Sequence, residues 1–419
     1  MTPPTFTRAG DDFFVAYPDL ELKFEVVGVY ADKTGHHAHM TCLSTNEAVA
    51  GQLVWERVNL DDGAARKRLA ARLTERWAGG PDWESMLHQV SEGIFRRFRE
   101  GEPFLELTGQ KRVSERYRMT PLLPESQITL LFGDGGVGKG FFALAAAMSM
   151  LCGTAPLGMA CVAGPVLYLD WETDEDEIND RMARLAEGLM VHPPTLLYRR
   201  CFLPIAEDIG AILRFTRDRN LGLVIVDSMG LCVGGNPNDS GDTIRAMRCL
   251  RQLRSTVLCL DHVGKEGSTA GKSMGNSYKF HHSRSVWELK RGESHLDGVI
   301  EVGLFHHKAN NGKKWAPLGF KFTFDGDDGP IEVEHGIQVS SIEGVKSALS
   351  VGKRIIDAIG SLALLDSDLH DALDDVKAET IDRTVRRMLT RGILVRRDDT
   401  RLVADKIRQI GTRTVRGHP

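Results

Sequence analysis

Gly133-Asp134-Gly135-Gly136-Val137-Gly138-Lys139-Gly140 is the stretch on which the reading of this chain turns. It satisfies the spacing Gly-x-x-x-x-Gly-Lys. Glycines let the backbone curl until its N–H groups face the β- and γ-phosphates of a nucleotide, and the dipole of the following helix favours the negative charge. Lys139 then reaches the phosphate oxygens as a point charge. Context separates a phosphate loop from an incidental glycine-rich turn. The apolar run Gln127–Phe132 reads as a strand leading in, and Lys139–Leu151 as a helix leading out. The expected ATP-binding residues are therefore Gly133, Asp134, Gly135, Gly136, Val137, Gly138, Lys139, Gly140 and Phe141. One position departs from the pattern. Ser or Thr ordinarily follows the lysine and offers Mg²⁺ a hydroxyl, whereas Gly140 and Phe141 offer none. Either water and acidic residues hold the metal, which is the expectation adopted, or metal binding and hydrolysis are weakened.

Outward from the loop, apolar strands alternate with helices, which predicts βα units on a mostly parallel sheet. The strands are Pro165–Asp170, Leu197–Phe202, Leu223–Asp227 and Thr256–Asp261, and the helices Glu175–Leu189, Ala206–Arg219 and Thr243–Arg254. Ser285–Lys290, Val299–His306 and Phe320–Phe324 read as strands that extend the sheet, partly antiparallel. The predicted fold class is thus α/β, a RecA-like core over residues 121–343 flanked by two smaller units. In residues 1–120, Leu22–Ala31 and His37–Ser44 read as strands and Asp62–Trp77 and Asp82–Arg99 as amphipathic helices, an α+β accessory domain. In residues 344–419, Lys353–Ile359, Ser367–Leu373 and Thr380–Thr390 read as helices, followed by a hairpin from Gly392. That order predicts a winged helix-turn-helix with Thr380–Thr390 as recognition helix.

Composition sets limits. With 419 residues, 42% of them hydrophobic and 26% charged, the chain suits a soluble protein of two or three domains. No apolar run is long enough to span a membrane, and the start carries no apolar signal region, so a cytoplasmic protein is expected. Seven scattered cysteines form no Cys-x-x-Cys pair, which argues against a zinc site or a disulfide framework. The net charge of −4 hides a basic tail: from Ile381 onward, eleven Lys and Arg face four Asp.

Three strand ends carry the remaining chemistry. Asp227, closing Leu223–Asp227, is the expected Mg²⁺ anchor. Glu172, just past Pro165–Asp170, is the expected general base that orients water against the γ-phosphate, with Asp170 as its competitor. His262 ends Thr256–Asp261 and fits a sensor of the γ-phosphate. His281-His282 and His306-His307 are read as strand pairs whose rings point to opposite faces, so neither pair chelates.

Together Gly133–Lys139, Asp170-x-Glu172, Asp227-Ser228, His262-x-x-Lys265, Gly267-Ser268 and Arg284–Leu289 resemble the RepA-like branch of the RecA/DnaB-type ATPases. The resemblance runs from about Pro121 to Phe324. It implies ATP and Mg²⁺ as cofactors, a homo-hexameric ring, ATP between subunits and single-stranded DNA in a central channel. It also implies a basic residue donated across the interface: Lys308, with Arg284 behind it, while Asn310 stands where a second basic partner is expected. The glycine-rich loop carrying Lys265, Lys272 and Lys279 is the expected DNA contact, with Leu231–Asp242 as a second candidate. Arg383, Arg386 and Arg387 on the recognition helix are expected at duplex DNA. The resulting expectation is a helicase-type ATPase of replication or recombination. The alternatives are a KaiC-like or loader-type switch and a DNA-binding regulator with slow turnover.

Overall fold

A computed structural model describes residues 3–9, 12–100, 104, 106–109, 116–216, 219–235, 239–263, 278–293, 296–310, 312–360, 364–397 and 401–404. Near the start, strands β1 (Thr5–Ala9), β2 (Asp12–Tyr17), β3 (Leu22–Asp32), β4 (Gly35–Ser44) and β5 (Gly51–Asn59) form an antiparallel meander in that order. Alternation places Phe13, Val15 and Tyr17 of β2 inward. They meet the apolar stripe of helix α1 (Gly63–Arg76) and, on helix α2 (Trp83–Glu100), Met86, Leu87, Val90 and Ile94. The sequence reading missed β1, β2 and β5. In β5, Gln52, Glu56 and Arg57 interrupt the apolar residues and blur the period of two.

A short pair, β6 (Tyr117–Met119) and β7 (Leu123–Pro124), precedes the central sheet. Then follow β8 (Ile128–Gly133), α3 (Lys139–Cys152), β9 (Val166–Asp170), α4 (Glu175–Gly188), β10 (Leu197–Arg200), α5 (Ile205–Thr216) and β11 (Leu223–Asp227). Next come α6 (Met229–Val233), α7 (Ser240–Gln252), β12 (Val257–His262), α8 (Tyr278–His282), β13 (Ser285–Arg291), β14 (Val299–Ala309), β15 (Leu318–Phe324) and β16 (Ile331–Ile337). The nine strands lie in the order β10-β9-β11-β12-β8-β13-β14-β15-β16. Pairings from β10 to β13 are parallel, and those among β13, β14, β15 and β16 antiparallel. This is an α/β fold with a central, mostly parallel sheet, consistent with a RecA-like core.

Because parallel strands are covered on both faces, each reads as a continuous apolar run. Tyr168, Ile225 and Leu258 face α3 and α4, while Leu167, Leu169, Val224 and Cys259 face α5 and α7. The N-terminal sheet rests on α5: Arg214 donates to Thr41 Oγ1 at 3.0 Å and lies over the Trp55 ring. Gly210 makes that approach possible, since a Cβ there would stand 2.6 Å from His39 Cγ.

At the other end, α9 (Val351–Ile359), α10 (Asp366–Ala372) and α11 (Ala378–Thr390) precede the antiparallel pair β17 (Leu394–Arg397) and β18 (Arg401–Ala404). Ile355, Leu369, Ile381, Leu394 and Leu402 form their shared core. All seven cysteines are free thiols. Among the described residues no helix is long and apolar enough to cross a membrane.

Candidate functional site

The strand order brings the C-terminal ends of β8, β12, β11 and β9 side by side, the edge where open α/β sheets hold their ligands. The phosphate loop leaves β8 there. Gly136 and Gly138 adopt φ of +73° and +96°, the left-handed region in which a side chain is strained. Lys139 opens α3 and is buried; its Nζ donates to the carbonyls of Gly133 at 3.0 Å and Asp134 at 2.9 Å. Burial lowers its pKa, while the carboxylates of Asp227, Glu172, Asp261 and Asp134 pull the other way. Arg291 of β13, which the sequence reading did not single out, donates to the Gly136 carbonyl at 3.1 Å.

Glu172 and His262 meet above the end of β11, with Glu172 Oε1 3.0 Å from His262 Nε2. Hydrogen bonding from His262, reinforced by Ser228, holds the Glu172 carboxyl below its ordinary pKa against the opposing effect of burial. Its competitor, Asp170, is otherwise engaged. Fully buried, it accepts from the backbone N–H groups of Glu172 and Thr173, from Thr173 Oγ1 at 2.6 Å and from the Tyr198 hydroxyl at 3.0 Å. Asp170 organises the turn, and Glu172 is the carboxylate with a free face.

Asp227 lies in register with Asp170 on the neighbouring strand and accepts the Tyr168 hydroxyl on Oδ2 at 2.5 Å. Desolvation, aided by the Glu172 and Asp170 charges, pushes its pKa up to about 6. A carboxyl whose pKa is raised on folding disfavours the folded state increasingly as pH climbs from the unfolded value of 3.8 to about 6. At pH 8 the ionised form costs about 3 kcal/mol, and at pH 4.5 about 1 kcal/mol. Asp227→Asn keeps an oxygen for Tyr168 and removes the charge. It is expected to raise the unfolding temperature by several degrees at pH 8 and by about a third as much at pH 4.5. Thermal melts of both proteins across that range check the sign.

Mg²⁺ fits this site poorly. Residues 140 and 141 carry no hydroxyl, and a Cβ at Gly140 would stand 3.3 Å from Arg181 Nη1 and 4.0 Å from Asp227 Oδ2. The Arg181 guanidinium thus borders the place of the usual hydroxyl, and the nearest carboxylate oxygen, Asp227 Oδ2, accepts a hydrogen bond from Tyr168. Position 140, where the expectation had water and acidic residues hold the metal, is bordered by one cation, Arg181, and one carboxylate, Asp227.

Other expected residues lie elsewhere. Lys279 is not a DNA contact. It is fully buried, and its Nζ lies 3.1 Å from both carboxylate oxygens of Asp261. Lys265 and Lys272 fall outside the described residues, and so does part of the Leu231–Asp242 loop. Lys308 lies at the end of β14, as expected, and donates to the carbonyls of Phe280, His281 and Ser283 at 2.8–2.9 Å, so capping α8. Arg284 precedes β13, its N–H bonded to the Ile128 carbonyl at the start of β8, so it lies across the sheet from its own phosphate loop. Arg383, Arg386 and Arg387 are exposed on α11. His281 and His282 lie on α8, not on a strand as read from sequence. Among the described residues no cluster of three or more His, Cys, Asp or Glu is arranged to hold a metal.

Fold and site together define a P-loop ATPase-type core. Residues 95–268 match a protein family described as an AAA domain. No curated protein matches the chain. Similar solved structures include a KaiC-like protein from the hyperthermophilic archaeon Pyrococcus horikoshii OT3, at 16% identity and a TM-score of 0.36, over 54% of this chain and 99% of that one. Another is the flagellar accessory protein FlaH from Methanocaldococcus jannaschii, at 14% identity and a TM-score of 0.36, over 52% and 92%.

Proposed function

We propose that this chain is a RecA-type, RepA-like ATPase that couples ATP hydrolysis to work on DNA. The observation that carries the hydrolytic part is the convergence of Lys139, Glu172 and His262 at one edge of the sheet. Lys139 neutralises phosphate charge as the loop amides grip the nucleotide. Glu172, ionised at neutral pH, orients a water in line with the γ-phosphate and accepts its proton. His262, bonded to that carboxylate at the end of β12, feels the loss of the γ-phosphate and passes the change to the segment that follows.

Charge supports an anionic partner. Burial, reinforced by neighbouring cations among Arg248, Arg251, Arg284, His281 and Lys308, lowers the pKa values of Arg251, His282 and Lys308, and Arg251 Nη2 meets His282 Nδ1 at 3.0 Å. The neighbouring charges that lower these three pKa values are cations, so a polyanion would relieve their repulsion. In this proposal the C-terminal helices and hairpin form a winged helix with Arg383, Arg386 and Arg387 facing duplex phosphates. Arg284 serves the nucleotide of the next subunit in a homo-hexameric ring, since carbonyls at α8 take all three N–H donors of Lys308.

The test is ATP turnover with and without single-stranded DNA. Stimulation is expected, together with a loss of at least ~100-fold in turnover for Lys139→Ala. A switch of the KaiC-like kind is the second reading, favoured by the cation beside Gly140. It wins if DNA leaves turnover unchanged while ATP changes the oligomeric state.

A further inference from the structure

We infer that Arg181 is a built-in cation of the nucleotide site, taking over part of the phosphate-neutralising role that a hydroxyl-anchored Mg²⁺ would fill. This rests on the nucleotide-binding reading of the loop and goes beyond it, because it changes what the site requires in order to bind.

The argument starts from room. Gly140 directly follows the phosphate-contacting lysine, and the space its absent side chain leaves is bounded by Arg181 Nη1 at 3.3 Å from the Cβ position. A seryl or threonyl side chain would crowd the guanidinium there. The next residue also departs from the usual pattern, and it also serves the arginine: the Arg181 guanidinium lies over the Phe141 ring, 4.9 Å from its centroid. A third restraint comes from Glu177, one turn earlier on α4, whose carboxylate pairs with Arg181 Nη2. Asp174 caps that helix by accepting from the Glu177 N–H at 3.0 Å, which fixes the first turn from which Glu177 projects. Gly140, Phe141, Glu177 and Arg181 thus form one fitted set, holding a planar cation beside the phosphate loop.

The chemistry follows from the guanidinium. It stays ionised at any working pH and presents N–H donors in a fork that matches phosphate oxygens. Glu177 and Phe141 preorganise the head, so little rotamer entropy is lost when phosphate arrives. A Mg²⁺ ion close to residue 140 would meet a second cation and only one uncommitted oxygen of Asp227. Nucleotide affinity should therefore depend weakly on the metal and strongly on Arg181.

The experiment is calorimetric titration of the full chain with adenylyl imidodiphosphate, in EDTA and in excess MgCl₂. Wild type should bind within about fivefold in the two buffers. Arg181→Ala should bind ~10–100-fold more weakly in EDTA, the range for losing a charge-assisted hydrogen bond. Arg181→Lys should recover part of that loss, as a merely structural arginine would not. The double variant Gly140→Ser, Arg181→Ala should bind only when Mg²⁺ is present. Thermal melts establish that each variant is folded. Wild-type affinity that collapses ~100-fold without Mg²⁺, with Arg181→Ala indistinguishable from wild type, overturns the inference and leaves the P-loop reading intact. No binding by wild type in either buffer sinks the P-loop reading itself, and the inference with it.

Discussion

Glu172→Gln is expected to lower ATP turnover by ~10²–10⁴-fold, the contribution of a positioned general base, while nucleotide affinity stays within about threefold. The split follows from position. Glutamine is nearly isosteric and can still accept from His262, so the geometry above β11 survives. It cannot take a proton from water. Asp170 offers no substitute, since its carboxylate already accepts two backbone N–H groups and two hydroxyls. Single-turnover hydrolysis measured beside equilibrium binding separates the two effects. Equal losses in both would mean that Glu172 holds the site together, and no loss in turnover would remove it from the chemistry.

The second large effect concerns stability. Lys279→Met should cost ~3–5 kcal/mol, because it removes the ammonium that pairs with the fully buried Asp261 carboxylate. Both side chains are wholly out of solvent, so water cannot compensate. The companion prediction is sharper: Lys279→Met combined with Asp261→Leu should recover most of the loss, since an apolar pair removes both desolvated charges. Denaturant unfolding of the wild type, the single and the double variant measures this directly. A single variant as stable as wild type would mean that the pair is open to water. A double variant no better than the single would mean that the pair fixes packing beyond its charge.

Lys279 also marks where sequence reading fails. It closes a glycine-rich basic stretch, and nothing local distinguishes it from a solvated phosphate contact. Its partner Asp261 lies on the far side of that loop, and only the return of the chain into α8 beneath β12 joins them. Arg181 escaped for a similar reason. On α4 it reads as an ordinary i, i+4 partner of Glu177, and its closeness to Gly140 needs α3 and α4 to pack together. In β9, by contrast, Tyr168 shares a face with Asp170 by the period of two, so its approach to the acid cluster is legible in the sequence.

The sequence by itself determined the phosphate loop, the βα alternation around it and the strand ends that carry Glu172, Asp227 and His262. Those features are local, written in glycine spacing and in apolar runs that report burial on both faces. Tertiary structure decided which carboxylate is free, where Lys279 goes and what stands beside Gly140. Each depends on a partner distant in the chain, and the cost of burying a charge is settled only when that partner is in place.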